Sequence, residues 1–127
     1  MSVDRGTVDI TIYYADDDST WLIFVSEDEN GDTVSHDLTL YDDIIMAAKP
    51  FVNYEGEPVV RWSLGDGLAI RGGEDTNILE VSLDWPRIKP LQGGQEYPFD
   101  IRVLIRGEFK TLLEGTICSD ESVTMRS

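Results

Sequence analysis

The chain has 127 residues, 41% of them hydrophobic, and a net charge of −15 from 25 acidic and 10 basic residues. This length and hydrophobic content predict a single folded domain over residues 1–127. The negative charge repels nucleic-acid phosphates and anionic membrane surfaces, so we expect neither as a partner. The single cysteine, Cys118, excludes an intrachain disulfide and a four-cysteine zinc site.

No run of about 18 apolar residues is present, so no membrane-spanning helix is expected. The first residues, Met-Ser-Val-Asp-Arg, lack the apolar centre of a secretory signal. We therefore expect the protein to be made in a cytosol and to stay soluble.

The first half of the chain has the apolar period of two that is typical of strands. Residues 8–14 alternate, and residues 21–25 form a short apolar run typical of a central strand. Asn30-Gly31 predicts a hairpin turn because both residues tolerate positive φ, with residues 34–40 as the returning strand. Residues 42–49 are the one stretch with a helical interpretation, with Asp42 as its cap and Pro50 as its stop.

The second half continues in the same way, with predicted strands at 59–64, 68–70 and 78–83. Residues 97–105 and 109–117 predict a final hairpin around Arg106-Gly107-Glu108. Turn residues recur every 8–12 positions, as in sandwiches and barrels. The fold class is therefore predicted to be all-β, an antiparallel two-sheet sandwich with at most one short helix, near residues 42–49.

One segment imitates the spacing of a calcium-binding loop, with Ser26, Asp28, Asn30, Gly31 and Asp37 at the ligand and turn positions. A true loop has Asp at its first position and a bidentate Glu at its twelfth, where this chain has Ser26 and Asp37. We interpret the segment as a hairpin turn and predict no metal-binding residue.

His36 is the single histidine, and its place in an alternating segment is typical of an exposed or satisfied polar residue rather than of a general base or metal ligand. Cys118 lies next to acidic residues, which raise a thiol pKa and so disfavour thiol catalysis. We therefore predict no catalytic residue, no cofactor-binding residue and no enzymatic activity.

The final third of the chain carries the most specific pattern. It contains a Gly-Gly-x-x-Tyr-x-Phe-Asp-Ile-Arg-Val segment from Gly93, a Thr-Leu-Leu-Glu-Gly-Thr-Ile segment from Thr111, and Val-Thr-Met-Arg from Val123. This ending resembles the closing hairpin of the small Ig-like β-sandwich domains of tailed-phage virion proteins.

The resemblance implies a structural or adaptor protein of the tail, baseplate or fibre. Such a protein is made in the bacterial host cytoplasm and incorporated into the virion. It would act by protein–protein binding to other virion proteins or to copies of itself, without a cofactor.

Trp85, Pro86 and Ile88 form an apolar group in a segment too irregular for a core strand, so we predict them as interface candidates. The alternative is that Trp85 closes one end of the sandwich.

Two other functions are consistent with the sequence. An acidic DNA mimic that inhibits a host DNA-binding protein would exploit the charge of −15. A carbohydrate-binding or small hydrolase domain would need aromatic and carboxylate side chains in one groove.

Overall fold

The computed structural model describes residues 8–16, 19–91, 94–119 and 123–126. Within these ranges the chain forms ten strands and almost no helix. The strands are β1 (Val8–Asp16), β2 (Ser19–Glu27), β3 (Thr33–Ser35), β4 (Asp43–Ala48), β5 (Val60–Leu64), β6 (Gly67–Ile70), β7 (Ile78–Ser82), β8 (Gln95–Ile105), β9 (Glu108–Ser119) and β10 (Val123–Arg126). The prediction of a β-rich fold is confirmed.

The strands belong to one mixed, curled sheet in the order β1-β2-β7-β6-β5-β4-β8-β9-β10, with β3 paired to β2 beside β7. The pairing of β5 with β6 is parallel and spans two residue pairs, whereas the other pairings among the described strands are antiparallel. The sheet thus consists of two antiparallel sections joined at a parallel corner. The curl brings β1 close to β9.

Both sections contribute alternate side chains to one hydrophobic core. In β2, for example, Leu22 and Phe24 are fully buried, while the alternate residues Trp21 and Ile23 are half-buried. The other fully buried large side chains are Leu38, Ile44, Met46, Trp62, Leu68, Leu79, Phe99, Ile101, Leu112 and Ile117.

The predicted helix at residues 42–49 is wrong, because this segment forms β4. Ile44, Met46 and Ala48 alternate into the core between β5 and β8. A two-turn helix is marginal without tertiary contacts, and here a place between two strands determines the structure. The helical residues of the described chain are instead a 3-10 turn at Leu38–Leu40 and a one-turn helix, α1 (Trp85–Ile88).

The Asn30-Gly31 turn is confirmed, because β2 and β3 pair around it and Gly31 has a φ of 82°. The returning strand is shorter than predicted and ends at Ser35. The carboxylate of Asp37 accepts a hydrogen bond from the backbone N–H of Thr39, at 2.9 Å, and so begins the 3-10 turn. Local capping by Asp37 therefore replaces the last residues of the predicted strand.

The final hairpin is confirmed as β8 and β9, with Arg106 and Gly107 at its turn. A β-bulge between Ile101 and Arg102 shifts the pairing register of β8 with β9. Because of this shift, the consecutive residues Leu112 and Leu113 are both buried. The bulge accommodates the Leu-Leu pair in a strand that would otherwise expose one of its members.

Gly115 of β9 lies where two other parts of the chain meet. A Cβ atom at this position would overlap the carbonyl oxygen of Arg126 in β10 and lie 2.8 Å from the ring of Phe99. Glycine therefore permits β10 to pair with β9 while Phe99 fills the core beneath.

The corner between β5 and β6 is built around Trp62 and Gly67. Trp62 is fully buried, and its Nε1 donates a hydrogen bond to the carbonyl oxygen of Ser82 in β7, at 2.7 Å. Gly67 has a φ of 95°. A Cβ there would lie 2.7 Å from Cδ1 of Trp62 and 2.9 Å from Cζ of Arg87. The Arg87 guanidinium also pairs with Asp66, at 2.9 Å, so the turn is held from both sides.

Replacing Gly67 by Ala tests this corner, with Gly65→Ala as the matched control. Both glycines have positive φ, but a Cβ at Gly65 would meet nothing within 4 Å. We expect Gly67→Ala to lower the free energy of unfolding by about 1–3 kcal/mol more than the control, because overpacking adds to backbone strain. Urea unfolding curves measure this difference, and equal losses in the two variants would contradict it.

Candidate functional site

A groove of about 1010 Å³ lies on the outer face of β5, β4, β8 and β9, next to the β4–β5 loop. Apart from Phe99 and Gly115, its strand residues point away from the core. They are Ile45, Ala47, Arg61, Pro98, Asp100, Arg102, Phe109, Thr111, Glu114 and Thr116, and the β4–β5 loop adds Lys49, residues 52–56 and Pro58. The volume is that of a typical ligand-binding cleft.

One row of side chains crosses the groove from strand to strand. Arg61 of β5 lies beside Ala47 of β4, Ala47 beside Asp100 of β8, and Asp100 beside Glu114 of β9. Directly paired residues on one face lie about 5 Å apart, so the row spans four strands. It begins with a cation and ends with two carboxylates.

The floor of the groove contains a partly buried ion pair. Nζ of Lys49 lies 2.8 Å from Oδ2 of Asp100, and the Nε of Arg102 lies 3.5 Å from the same oxygen. Arg61 forms no ion pair among the side chains that the structure describes. Arg61 and Arg102 are far apart in the chain, and the register of β4 with its neighbours brings them to one face.

Exposed apolar side chains lie at both ends of the groove. Val52, in the β4–β5 loop, is 70% exposed, and Phe51 beside it is also exposed. Phe51 packs edge-to-face against Tyr54, with ring centroids 5.1 Å apart. Phe109, at the start of β9, is exposed at the opposite end. Clustered exposed apolar groups around a cleft are typical of interaction surfaces.

We expect Asp100→Asn to lower the free energy of unfolding by about 1–3 kcal/mol, because Lys49 loses its charged partner in a partly buried position. The matched control is Glu108→Gln, at an exposed position outside the groove. The control is expected to cost less than about 0.5 kcal/mol. Chemical denaturation compares the two variants, and equal stabilities would show that the pair contributes little.

His36 is buried at 4% exposure, where β3 leads into the 3-10 turn. Its Nε2 lies 2.5 Å from the hydroxyl of Tyr41, and its backbone N–H donates to the carbonyl oxygen of Phe24. Burial lowers the pKa of His36, against an opposing effect of the neighbouring Asp37 carboxylate, and burial raises the pKa of Tyr41 to about 12. The pair is thus a neutral, satisfied part of the structure, which is one of the two alternatives predicted for this histidine.

The lowered pKa of His36 makes stability depend on pH. The unfolded chain binds a proton near the usual value of 6.5, whereas the folded chain binds it at lower pH. The contribution of His36 to stability is therefore complete above pH 6.5 and is lost as the pH falls below that value.

We expect the free energy of unfolding to fall more steeply between about pH 7.5 and 5.5 in the unmodified protein than in His36→Gln. Urea curves measure both slopes, and NMR titration of this single histidine should give a midpoint below 6.5. Parallel slopes would contradict the assignment.

The calcium-like segment forms a hairpin turn, as predicted. The Asp28 carboxylate accepts hydrogen bonds from the backbone N–H groups of Asn30 and Asp32, both at 2.9 Å, and Asp37 caps the 3-10 turn. Among the described residues, no group of three or more His, Cys, Asp or Glu side chains is placed to hold a metal ion. Cys118 is half-buried, and its sulfur is not part of a disulfide.

The three interface candidates have different surroundings. Trp85 begins α1, and its side chain lies outside the described part of the chain. Pro86 is exposed, whereas Ile88 is 5% exposed and belongs to the hydrophobic core. Ile88 is buried because α1 lies over the core. The interface therefore remains a prediction for Trp85 and Pro86.

No protein-family model, curated protein or solved structure matches the chain. Where the structure is described, its helices are too short to cross a membrane.

Proposed function

We propose that the protein is a structural or adaptor component of a phage or prophage virion, in the tail, baseplate or fibre. It acts by protein–protein binding and carries no catalytic site. We further propose that the two antiparallel sections of the curled sheet form an Ig-like sandwich. The location in the virion, the virion partners and synthesis in the bacterial host cytoplasm belong to the same proposal.

The observation that carries this proposal is the final hairpin. The motif residues that produce the resemblance have specific structural roles in β8 and β9. Tyr97 and Phe99 are buried, Gly107 has a φ of 79° at the turn, and Gly115 leaves space for Phe99 and β10. A motif in which each position has such a role is a stronger sign of shared architecture than the same letters at solvent-exposed positions.

The groove supports a binding role within that proposal. Its most buried charged residue, Asp100, is engaged by Lys49 and Arg102, so charged partners within the chain already occupy its carboxylate. Exposed Val52 and Phe109 add apolar area at either end. Exposed apolar side chains next to a cleft are typical of a surface that binds a partner.

A second candidate, a carbohydrate-binding module, is favoured by one observation. Tyr54 and Phe109 line the same groove as the carboxylates of Asp100 and Glu114. Sugars bind where aromatic rings meet their apolar faces and charged groups meet their hydroxyls.

Mass spectrometry of purified particles tests the virion proposal. We expect peptides of this protein in particles banded on a density gradient, at an abundance similar to that of other minor virion proteins. Particles from a strain with the gene deleted are the control. Normal, infectious particles without this protein would overturn the proposal. Calorimetric binding of neutral oligosaccharides, lost in Tyr54→Ala, would favour the second candidate instead.

A further inference from the structure

The lining of the groove is electrically neutral, although the chain carries a charge of −15. It contains three basic and three acidic side chains, namely Lys49, Arg61, Arg102, Glu55, Asp100 and Glu114. The net negative charge therefore lies on the rest of the molecule. Two copies that approach through other surfaces repel each other, whereas the groove face lacks this local repulsion.

We propose that this face binds a second copy of the chain in a symmetric dimer, a proposal that rests on the protein-binding role above. The order of charges in the row that crosses the groove favours such a dimer. From β5 to β9 the row reads Arg61, Ala47, Asp100, Glu114. The cation and the terminal carboxylate are equally far from the boundary between β4 and β8.

A two-fold axis parallel to the strands along that boundary makes the row complementary to itself. It places Arg61 of one copy opposite Glu114 of the partner subunit, and the reverse pair forms by symmetry. The small Ala47 lies opposite Asp100 of the partner subunit, so no bulky group obstructs the centre. Packed sheets prefer nearly aligned strands, and this axis gives that arrangement.

Apolar contacts at the ends of the groove complete the interface. Val52 lies at one end of the groove, and the two-fold axis places it over the part of the partner's groove face that contains Pro98. Phe109 lies at the other end, opposite the end of β5 of the second copy. Both side chains are exposed in the single chain and lose water in the dimer.

A charge exchange tests this interface by sedimentation equilibrium at about 10–200 μM protein and about 150 mM salt, near the physiological ionic strength. We expect the unmodified chain to form dimers. Arg61→Glu and Glu114→Arg are each expected to weaken association at least tenfold, because each replaces two attractive pairs by two repulsive ones. The double variant carries both changes in exchanged positions and is expected to restore association.

Matched variants separate local pairing from the change in net charge. Lys89→Glu and Glu29→Arg make the same charge changes at exposed positions outside the groove. We expect each to change the dissociation constant less than threefold. We also expect added salt to tighten the dimer, because it screens the repulsion between two chains of −15.

A chain that stays monomeric throughout this range would overturn the proposal. So would association that Arg61→Glu weakens no more than Lys89→Glu does, or a double variant that fails to recover. Circular dichroism and melting temperatures confirm that each variant is folded. The presence of the protein in purified particles is measured independently. A chain that stays monomeric therefore leaves the virion proposal intact, and absence from the particles leaves the dimer proposal intact.

Discussion

The contact of Trp62 with Gly67 is the constraint on which the rest of the structure depends. The two antiparallel sections are joined through two parallel residue pairs at this corner, so the corner sets how one section is oriented over the other. Trp62 fills the core below the turn, its hydrogen bond to Ser82 fixes β7, and Arg87 covers the turn from outside. A single core beneath both sections requires this geometry, and the groove lies on the outer face of the section that begins with β5.

Much of the fold follows from the sequence because strand patterns are local. The apolar run in β2 and the turn residues at Gly31 and Gly107 predict strands and hairpins in the right places. The error at β4 is also instructive. Its six residues suit a short helix or a central strand, and the choice depends on β5 and β8 on either side. Tertiary pairing of that kind is invisible in a local pattern.

The groove was inaccessible to sequence reasoning for a related reason. Arg61 and Asp100 are far apart in the chain and become neighbours through β4, whose strand character was missed. Lys49 and Asp100 likewise form their ion pair across a register that local spacing does not determine. By contrast, the sequence interpretation of His36 as an exposed or satisfied polar residue includes the arrangement found, in which the ring is buried against the Tyr41 hydroxyl.

The bulge between Ile101 and Arg102 has a consequence for how this chain tolerates insertions and deletions. Glu114 and Thr111 lie on opposite sides of the bulge, and both face the groove. In a regular strand, residues at an odd spacing would face opposite sides of the sheet. Deleting one leucine of the Leu112-Leu113 pair would remove the bulge and restore a regular ladder, so the later residues of β9 would keep their faces. A change of length elsewhere in β9 would instead exchange core for solvent in the residues beyond it. Changes of chain length should therefore accumulate in the long β4–β5 loop, where the groove can be reshaped without disturbing the strand register.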